Sequence, residues 1–485
     1  MPKPTRYRLV ATAAALLSGA VHAQVDPALR DAAQRAIETQ PEVTARLNAL
    51  RGGEESIAIA RAGLRPRIGL EASAGRTSDR ITTRNPEGQS LNQTGVALSA
   101  SQLLWDGQGT LREARRSERE RVVRWYELAD ATEVAALEAA RAHYDVLRFR
   151  RLVALAEDNY VQHRYAHGQL RSRFEAGVGR GVDLEQAGAR LALAESNLLS
   201  ETANLHDVSA RYQRIVGTLP PATLAFKTLD GTALPTSAVD AITGALRDNA
   251  AISAGIEALR AARAGAQARE SAYQPRVEAR VRTGTGRNFD GVPDQKRDTS
   301  AEIVLSWNLY NGGADEARVR QATHLLNQTA DLRDKACRDT RQTVAIAYSD
   351  LRKLAEQQQV LDRNTVAIEK ARDAYRQQFD IGQHSLLDLL NAENELYTAR
   401  RALTNAQFDH AVAQARTLAA MQRLTRELGL KVPAEQPMPG EDEARMAEDL
   451  PARCPAEVVQ LQTAGREALD DRAAKLIQAA PPLKR

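Results

Sequence analysis

His163 and His167 stand four residues apart in a stretch of helical periodicity, a spacing that lets two imidazoles reach one metal ion. No acidic residue or cysteine is arranged to complete that ligand set, so the pair reads as solvated helix surface. Gly284-Thr285-Gly286 resembles the start of a phosphate loop, yet it ends a strand-like stretch and no helix carrying Lys-Ser/Thr follows. It is expected to form a hairpin loop. No nucleophile elbow is present and no pair of carboxylates has a context for general acid/base work, which argues against an enzyme and implies no cofactor. Two other groups can do structural chemistry. Cys337 and Cys454, the two cysteines of the chain, can oxidise if it is exported. Asp183 and Asp388 sit where an N-cap accepts backbone N–H bonds from the start of a helix.

These aspartates belong to a duplicated motif, FEAGVGRGVDLEQA from Phe174 and FDIGQHSLLDLLNA from Phe379. Phe174 and Phe379, Gly177 and Gly382, and Asp183 and Asp388 are each separated by 205 residues. Upstream, AIETQPEVTARLNAL at Ala36 matches ALRDNAAISAGIEAL at Ala245, and RPRIGLEASAG at Arg65 matches QPRVEARVRTG at Gln274, with a shift of 209. The loop between the paired strand-like stretches is therefore longer in the first copy, as suits an exposed loop. Each copy reads as short helix, strand, polar loop, strand, long helix, Gly-containing turn and second long helix.

The strands follow from alternation. Ile68, Leu70, Ala72 and Ala74, then Val96, Leu98, Ala100 and Leu104, occupy one face in the first copy; Val277, Ala279 and Val281, then Ala301, Ile303, Leu305, Trp307 and Leu309, do so in the second. The opposite face carries charge, including Arg280 and Arg282, which suit a pore lining or a solvated strand equally. Segments of this length can cross a bilayer when tilted, and Trp105, Trp307 and Tyr310 lie near the strand ends as interfacial aromatics do. Four strands cannot close a barrel alone, and an open edge is not tolerated in lipid. The chain is expected to oligomerise, each copy lending four strands.

The helices should be long, because no Pro interrupts 109–173 or 314–378. Those returning from the Gly turns carry a heptad seam: Leu184, Leu191, Leu198, Leu205 and Tyr212 with Ala187, Ala194, Val208 and Ile215, and then Leu389, Leu396, Leu403 and Leu424 with Ala392, Ala399, Ala406, Ala413 and Ala420. Charged residues make up 26% of the chain and aromatics 4%, which favours long helices over a thick globular core. The net charge of +4 is dispersed among interleaved acids and bases, so nucleic acid is not an expected partner.

Residues 1–23, with Lys3, Arg6 and Arg8 before an apolar run and Val21-His22-Ala23 at its end, read as a secretory signal peptide. The expected organisation continues with a first repeat over 24–217, holding strands near 66–78 and 94–105 and a helical hairpin over 109–217. A linker spans 218–235. The second repeat spans 236–429, with strands near 275–285 and 299–310 and a hairpin over 314–429, and a tail follows over 430–485. No Cys follows the cleavage pattern, so nothing marks that terminus for lipid attachment.

The duplicated layout, the strand-to-helix joins LLWDGQ at Leu103 and NLYNGG at Asn308, and the two tip motifs together resemble the TolC family of outer-membrane factors, through about Gly429. The resemblance implies a mainly α-helical protein with a membrane β-barrel contribution: a homotrimer, a twelve-stranded barrel in the outer membrane of a Gram-negative bacterium, and a coiled-coil tunnel across the periplasm. It implies tip turns at Gly177, Val178 and Gly179 and at Gly382, Gln383 and Ser385 that dock a periplasmic adaptor and an inner-membrane pump, such as an ABC transporter. It also implies that Asp388 can point into the closed entrance, where a threefold axis would gather three carboxylates, favour cations and raise their pKa values.

Three positions depart from the family pattern: Asn391 stands for a second acidic ring, His384 for an Arg that latches the tip, and Phe379 for a Tyr. A closure involving His384 and Asp183 is one expectation that follows. The joins and the segment KACRDTRQTVAIAYSDL at Lys335 resemble the branch that exports large proteins by type I secretion, with small-molecule efflux as the alternative. A periplasmic coiled-coil scaffold would explain the heptads but leave the strands without purpose. Cys337, about 36 Å below the strands at 1.5 Å per residue from Gly313, is expected to bond Cys454 and hold the tail at the tunnel's waist.

Overall fold

The computed structural model describes residues 26–433 except 81, 84–85, 230 and 382, and residues 453–479 except 461–462. The expected signal peptide and Gly382 lie outside the described residues. Asp26 caps α1 (Pro27–Thr39) by accepting the Ala28 N–H at 3.0 Å, and Pro27 presets the first turn. Helix α2 (Pro41–Ala62) leads into β1 (Arg67–Asp79) and β2 (Gln89–Trp105), and α3 (Gly109–Glu175) with α4 (Gly181–Val216) forms a hairpin. The same order recurs in α5 (Ala238–Asp248), α6 (Ala250–Glu270), β3 (Arg276–Arg287), β4 (Arg297–Ser306), α7 (Ala314–Asp380) and α8 (Leu386–Ala420). A short α9 (Leu424–Glu427) and α10 (Arg466–Ala479) follow among the described residues.

Helices α3 and α7 are 67 residues each, which at 1.5 Å per residue makes each about 100 Å long. Both begin at a sharp turn with the same construction. Gly107 and Gln108 both have φ 65°, and Gly312 and Gly313 have φ 72° and 82°, so two successive left-handed residues redirect the chain from strand to helix. Asp106 then accepts the Thr110 N–H at 2.8 Å, and Asn311 accepts the Asp315 N–H at 3.3 Å, each satisfying a donor in the first helical turn.

The four strands form one antiparallel sheet in the order β1-β2-β3-β4. Ile68, Leu70 and Ile303 on its apolar face are 74%, 73% and 75% exposed, so nothing among the described residues covers that face. Among the described residues, no helix is long and apolar enough to cross a membrane. Three expectations about the strands are corrected. Gly284-Thr285-Gly286 lies within β3, and the loops 80–88 and 288–296 are equal in length, so the extra residues of the first copy extend its β-ribbon instead of its loop. Strand β4 ends at Ser306, leaving Trp307, Leu309 and Tyr310 beyond it.

The main core lies midway along the helices. Ala135, Ala136, Ala139, Ala140 and Ala142 of α3 are buried against Ala32, Ala33 and Ala36 of α1, Val208, Tyr212 and Ile215 of α4, and Ala411, Ala415 and Leu418 of α8. The 218–235 linker is drawn onto this core: the Tyr144 hydroxyl donates to the Lys227 carbonyl at 3.0 Å, and Phe226 packs edge-on against Phe408, centroids 4.6 Å apart.

The seam expected to reach Leu424 in a single helix is broken. Helix α8 stops at Ala420, Gln422 takes φ 57°, and α9 restarts at Leu424. Its cap comes from α3: the buried Glu133 carboxylate accepts the Leu424 N–H at 2.5 Å, the Thr425 N–H at 3.2 Å and the Thr425 hydroxyl at 2.7 Å. Burial pushes the Glu133 carboxyl up to about 7, against the pull of these three bonds.

The described part of the tail lies beside α7. Cys337 and Cys454 are bonded and buried, with Cα atoms 6.2 Å apart. Arg453 pairs with Asp334 at 3.1 Å, and Arg341 donates to the Pro455 carbonyl at 3.2 Å.

Because the folded Glu133 carboxyl titrates above its ordinary 4.5, it favours the folded state below that value and loses this contribution as pH rises through about 7. Thermal unfolding of the detergent-solubilised protein should show stability falling over that window by up to about 3 kcal/mol per chain. Glu133→Gln should flatten the dependence; an unchanged slope would contradict the assignment. Non-reducing peptide mapping should recover Cys337 and Cys454 in one linked peptide, whose bond contributes about 4 to 5 kcal/mol in the chain-entropy view. Alkylation of both thiols without reductant would exclude the bond.

Candidate functional site at the hairpin tips

The first tip is built by backbone bonds that its sequence specifies. After α3 the Gly177 N–H bonds the Phe174 carbonyl at 2.9 Å and the Val178 N–H bonds the Arg173 carbonyl at 3.0 Å, with Gly177 at φ 74°. This is a Schellman ending, which needs a left-handed residue at Gly177. Gly179 has a different reason: a Cβ there would stand 2.8 Å from the Phe174 nitrogen. Val178 is left 79% exposed at the apex. At the second tip the Gln383 N–H bonds the Gln378 carbonyl at 2.8 Å, the corresponding six-residue closure.

Neither aspartate is the N-cap expected of it. Arg180 precedes α4 without a side-chain cap bond, and Asp183 lies inside the first turn. The cap of α8 is Ser385, whose hydroxyl accepts the Asp388 N–H at 3.2 Å while Asp388 accepts the Ser385 N–H at 3.2 Å. This is a reciprocal capping box, and Ser385-Leu386-Leu387-Asp388 carries its sequence signature. Asp388 also accepts the Ser385 hydroxyl at 2.7 Å, and His384 Nδ1 lies 3.4 Å from the same carboxylate. The Ser385 hydroxyl bond, followed by the His384 contact, holds the Asp388 carboxyl below its ordinary 3.8. His384 therefore engages its own hairpin, Asp388 of α8 and Tyr375 of α7, the latter edge-on at 5.1 Å, and within one chain it does not reach for Asp183.

The two hairpins meet through contacts that no motif announced. Leu386 and Leu390 pack on Ala166, Leu170 and Ala187, with Phe379 and Leu184 at the edge. The Arg173 guanidinium stands 5.4 Å from the Phe379 ring centroid, where the π face attracts a cation. Arg190 of α4 donates to the Asn391 side-chain oxygen at 3.0 Å. Thus two of the three departures from the family pattern, Phe379 and Asn391, receive an arginine from the other hairpin. Glu393, nearly buried, accepts from Arg372 at 3.1 Å and Arg376 at 2.7 Å and ties α7 to α8. A groove of about 330 Å³ opens between the hairpins beside Tyr165, Gln169, Arg173 and Phe379.

His163 corrects another expectation. It is buried instead of solvated, with Nδ1 2.8 Å from the Asn159 carbonyl, and burial lowers its pKa. Among the described residues no cluster of three or more metal-ligating side chains occurs.

This arrangement of elements can be set beside known proteins. The family model for outer membrane efflux protein matches residues 32–218 and again 241–423, most of the chain in two stretches. The chain belongs to that family. As a member it is an outer-membrane channel of a Gram-negative bacterium, not an enzyme. It is 28% identical to the outer membrane efflux protein BepC of Brucella suis, over 88% of this chain and 92% of that one. It is 26% identical to the alkaline protease secretion protein AprF of Pseudomonas aeruginosa, over 88% and 91%. The fold matches the open state of the Neisseria gonorrhoeae MtrE outer membrane channel with a TM-score of 0.71 at 19% identity, over 82% of this chain and 90% of that one. Relatives named for efflux and for secretion thus both span nearly the whole efflux-family chain.

Ser385→Ala should cost about 1 kcal/mol in the first turn of α8. Hydrogen exchange should accelerate at Leu386 to Leu389 and stay unchanged in the middle of α7. The Asp388 half of the box is fully present above pH 3.8 and is lost as pH falls through its lower folded value, so protection of this turn should fade only under acid conditions. Fading at neutral pH would contradict this account.

Proposed function

We propose that the chain is the outer-membrane duct of an exporter that spans the cell envelope, working as a homotrimer whose copies each lend four strands to a twelve-stranded barrel. The observation that carries this reading is the sheet. Its apolar face is bare, and β1 and β4 each have one edge without a strand partner among the described residues. Lipid tolerates the first and forbids the second, so further copies must close the ring. The helical hairpins then extend about 100 Å into the periplasm. Their tips, at Gly177, Val178 and Gly179 and at Gln383 and Ser385, are the surface offered to an adaptor and an inner-membrane pump. In the trimer, Asp388 lines the entrance and Asn391 leaves its acidic ring single.

The cargo we favour is a large protein exported by type I secretion. The strand-to-helix joins support this, as does the similarity to AprF, a protease secretion protein. The second reading is small-molecule efflux, favoured by the similarity to BepC.

Deleting the gene in the native host should remove one large protein from the medium or cell surface and leave drug and dye tolerance intact. Lost tolerance with an unchanged set of secreted proteins would assign the duct to efflux.

A further inference from the structure

The loop between β3 and β4 does not project away from the sheet. Side-chain parity identifies the face it lies on. Ile68, Leu70, Val96, Leu98, Val277 and Val281 share the apolar face, while Glu71, Ser99, Arg280 and Arg282 share the other. Gly95, Gly284 and Gly286 fall in the second set, where Gly95 lies opposite Gly286, and Ala97 opposite Gly284. The polar face therefore contains a patch, across two strands, with no side chain larger than a methyl group.

Phe289 fills that notch. Its side chain is 3% exposed, and a Cβ on Gly95 would stand 2.6 Å from its ring. A phenyl ring buried on the charged face, while the apolar face of the same sheet lies bare, runs against the alternation of every strand. The loop is held there by several further contacts. Arg282 donates to both Asp290 oxygens, at 2.6 and 3.1 Å, and its guanidinium lies 5.3 Å from the Phe289 centroid. The Asn288 amide donates to the Asn92 carbonyl at 2.9 Å, reaching β2. Asn288 and Asp290 take left-handed φ values of 47° and 54°, conformations that non-glycine residues hold when surrounding contacts compensate.

We infer that residues 288–296 form an inward-folded lid at the external mouth of the pore, latched by Phe289 in the notch of Gly95, Gly284 and Gly286. The inference rests on the proposed reading that the polar face of the sheet lines a pore. With the latch seated, the lid narrows the mouth and sets the size of solute that enters from outside. A large cargo leaving the duct displaces it.

The test uses the full-length protein in intact cells, with Ser99→Cys as a reporter deeper on the polar face and Ile303→Cys as a control on the apolar face. The two native cysteines are buried and do not compete. In the parent background a small cationic methanethiosulfonate should label Ser99→Cys quickly and a bulky polyethylene glycol maleimide slowly. Phe289→Ala removes the latch, and Gly95→Ala independently crowds the ring out of its notch. Each should raise the bulky reagent's rate about tenfold, because the buried phenyl is the main anchor against local opening. The small reagent's rate should hardly change. Trimer content on unheated gels confirms that the variants assemble. Equal labelling by both reagents in the parent, or an unaltered bulky-reagent rate in an assembled variant, overturns the lid while leaving the pore reading intact. Labelling of Ile303→Cys by the hydrophilic reagents with Ser99→Cys protected overturns both.

Discussion

The close approach of α3 to its neighbours is the constraint on which the rest of the chain depends. Consecutive turns of α3 present alanines at 135, 136, 139, 140 and 142, all fully buried against α1, α4 and α8. Alanine leaves room for backbones to approach, and a helix of 67 residues then has a firm grip near its middle. From that grip the strands extend in one direction and the tips in the other. Interior close packing makes such a region intolerant of added volume, so movement in the assembly must be concentrated away from it.

The polar groups buried in this core are those that unite distant parts of the chain. Glu133 precedes the alanine run of α3, and its carboxylate organises the restart of the chain at Leu424 and Thr425. Leaving those N–H groups unsatisfied would cost more than the bonds themselves contribute, which offsets part of the cost of burying the Glu133 carboxyl. Asp26, at the start of α1, lies 3.3 Å from buried His143 of α3. The first and last described segments of the main body are thus both referred to α3.

At the tips the hairpins rely on local and cross-hairpin contacts of different strength. The turns are closed by backbone bonds and by the Ser385–Asp388 box, which depend on a few consecutive residues. The hairpins are joined by arginines: Arg173 on Phe379, Arg190 on Asn391, and Arg401 on the buried Glu201 at 2.8 Å. The half-exposed contacts among these are individually weak and screened by salt, so the joint can part without disturbing either turn.

The sequence alone determined the duplication, the strand faces and the length of the two uninterrupted helices α3 and α7, because each depends on residues close together in the chain. Alternation around Ile68 and Ile303 and the turn glycine at 177 are legible in this way, and so is Ser385-x-x-Asp388, although the expected cap is Asp388 and the observed one Ser385. Only the tertiary structure decided which helix Glu133 caps, that His163 is buried, that Arg190 meets Asn391, and that Phe289 turns onto the charged face. The partners in these cases are separated by as many as 291 residues, as Glu133 and Leu424 are. No local pattern encodes such a pairing. It arises when helices held together at the alanine core bring remote side chains within bonding distance, and the cost of leaving a buried polar group unpaired then selects the contact.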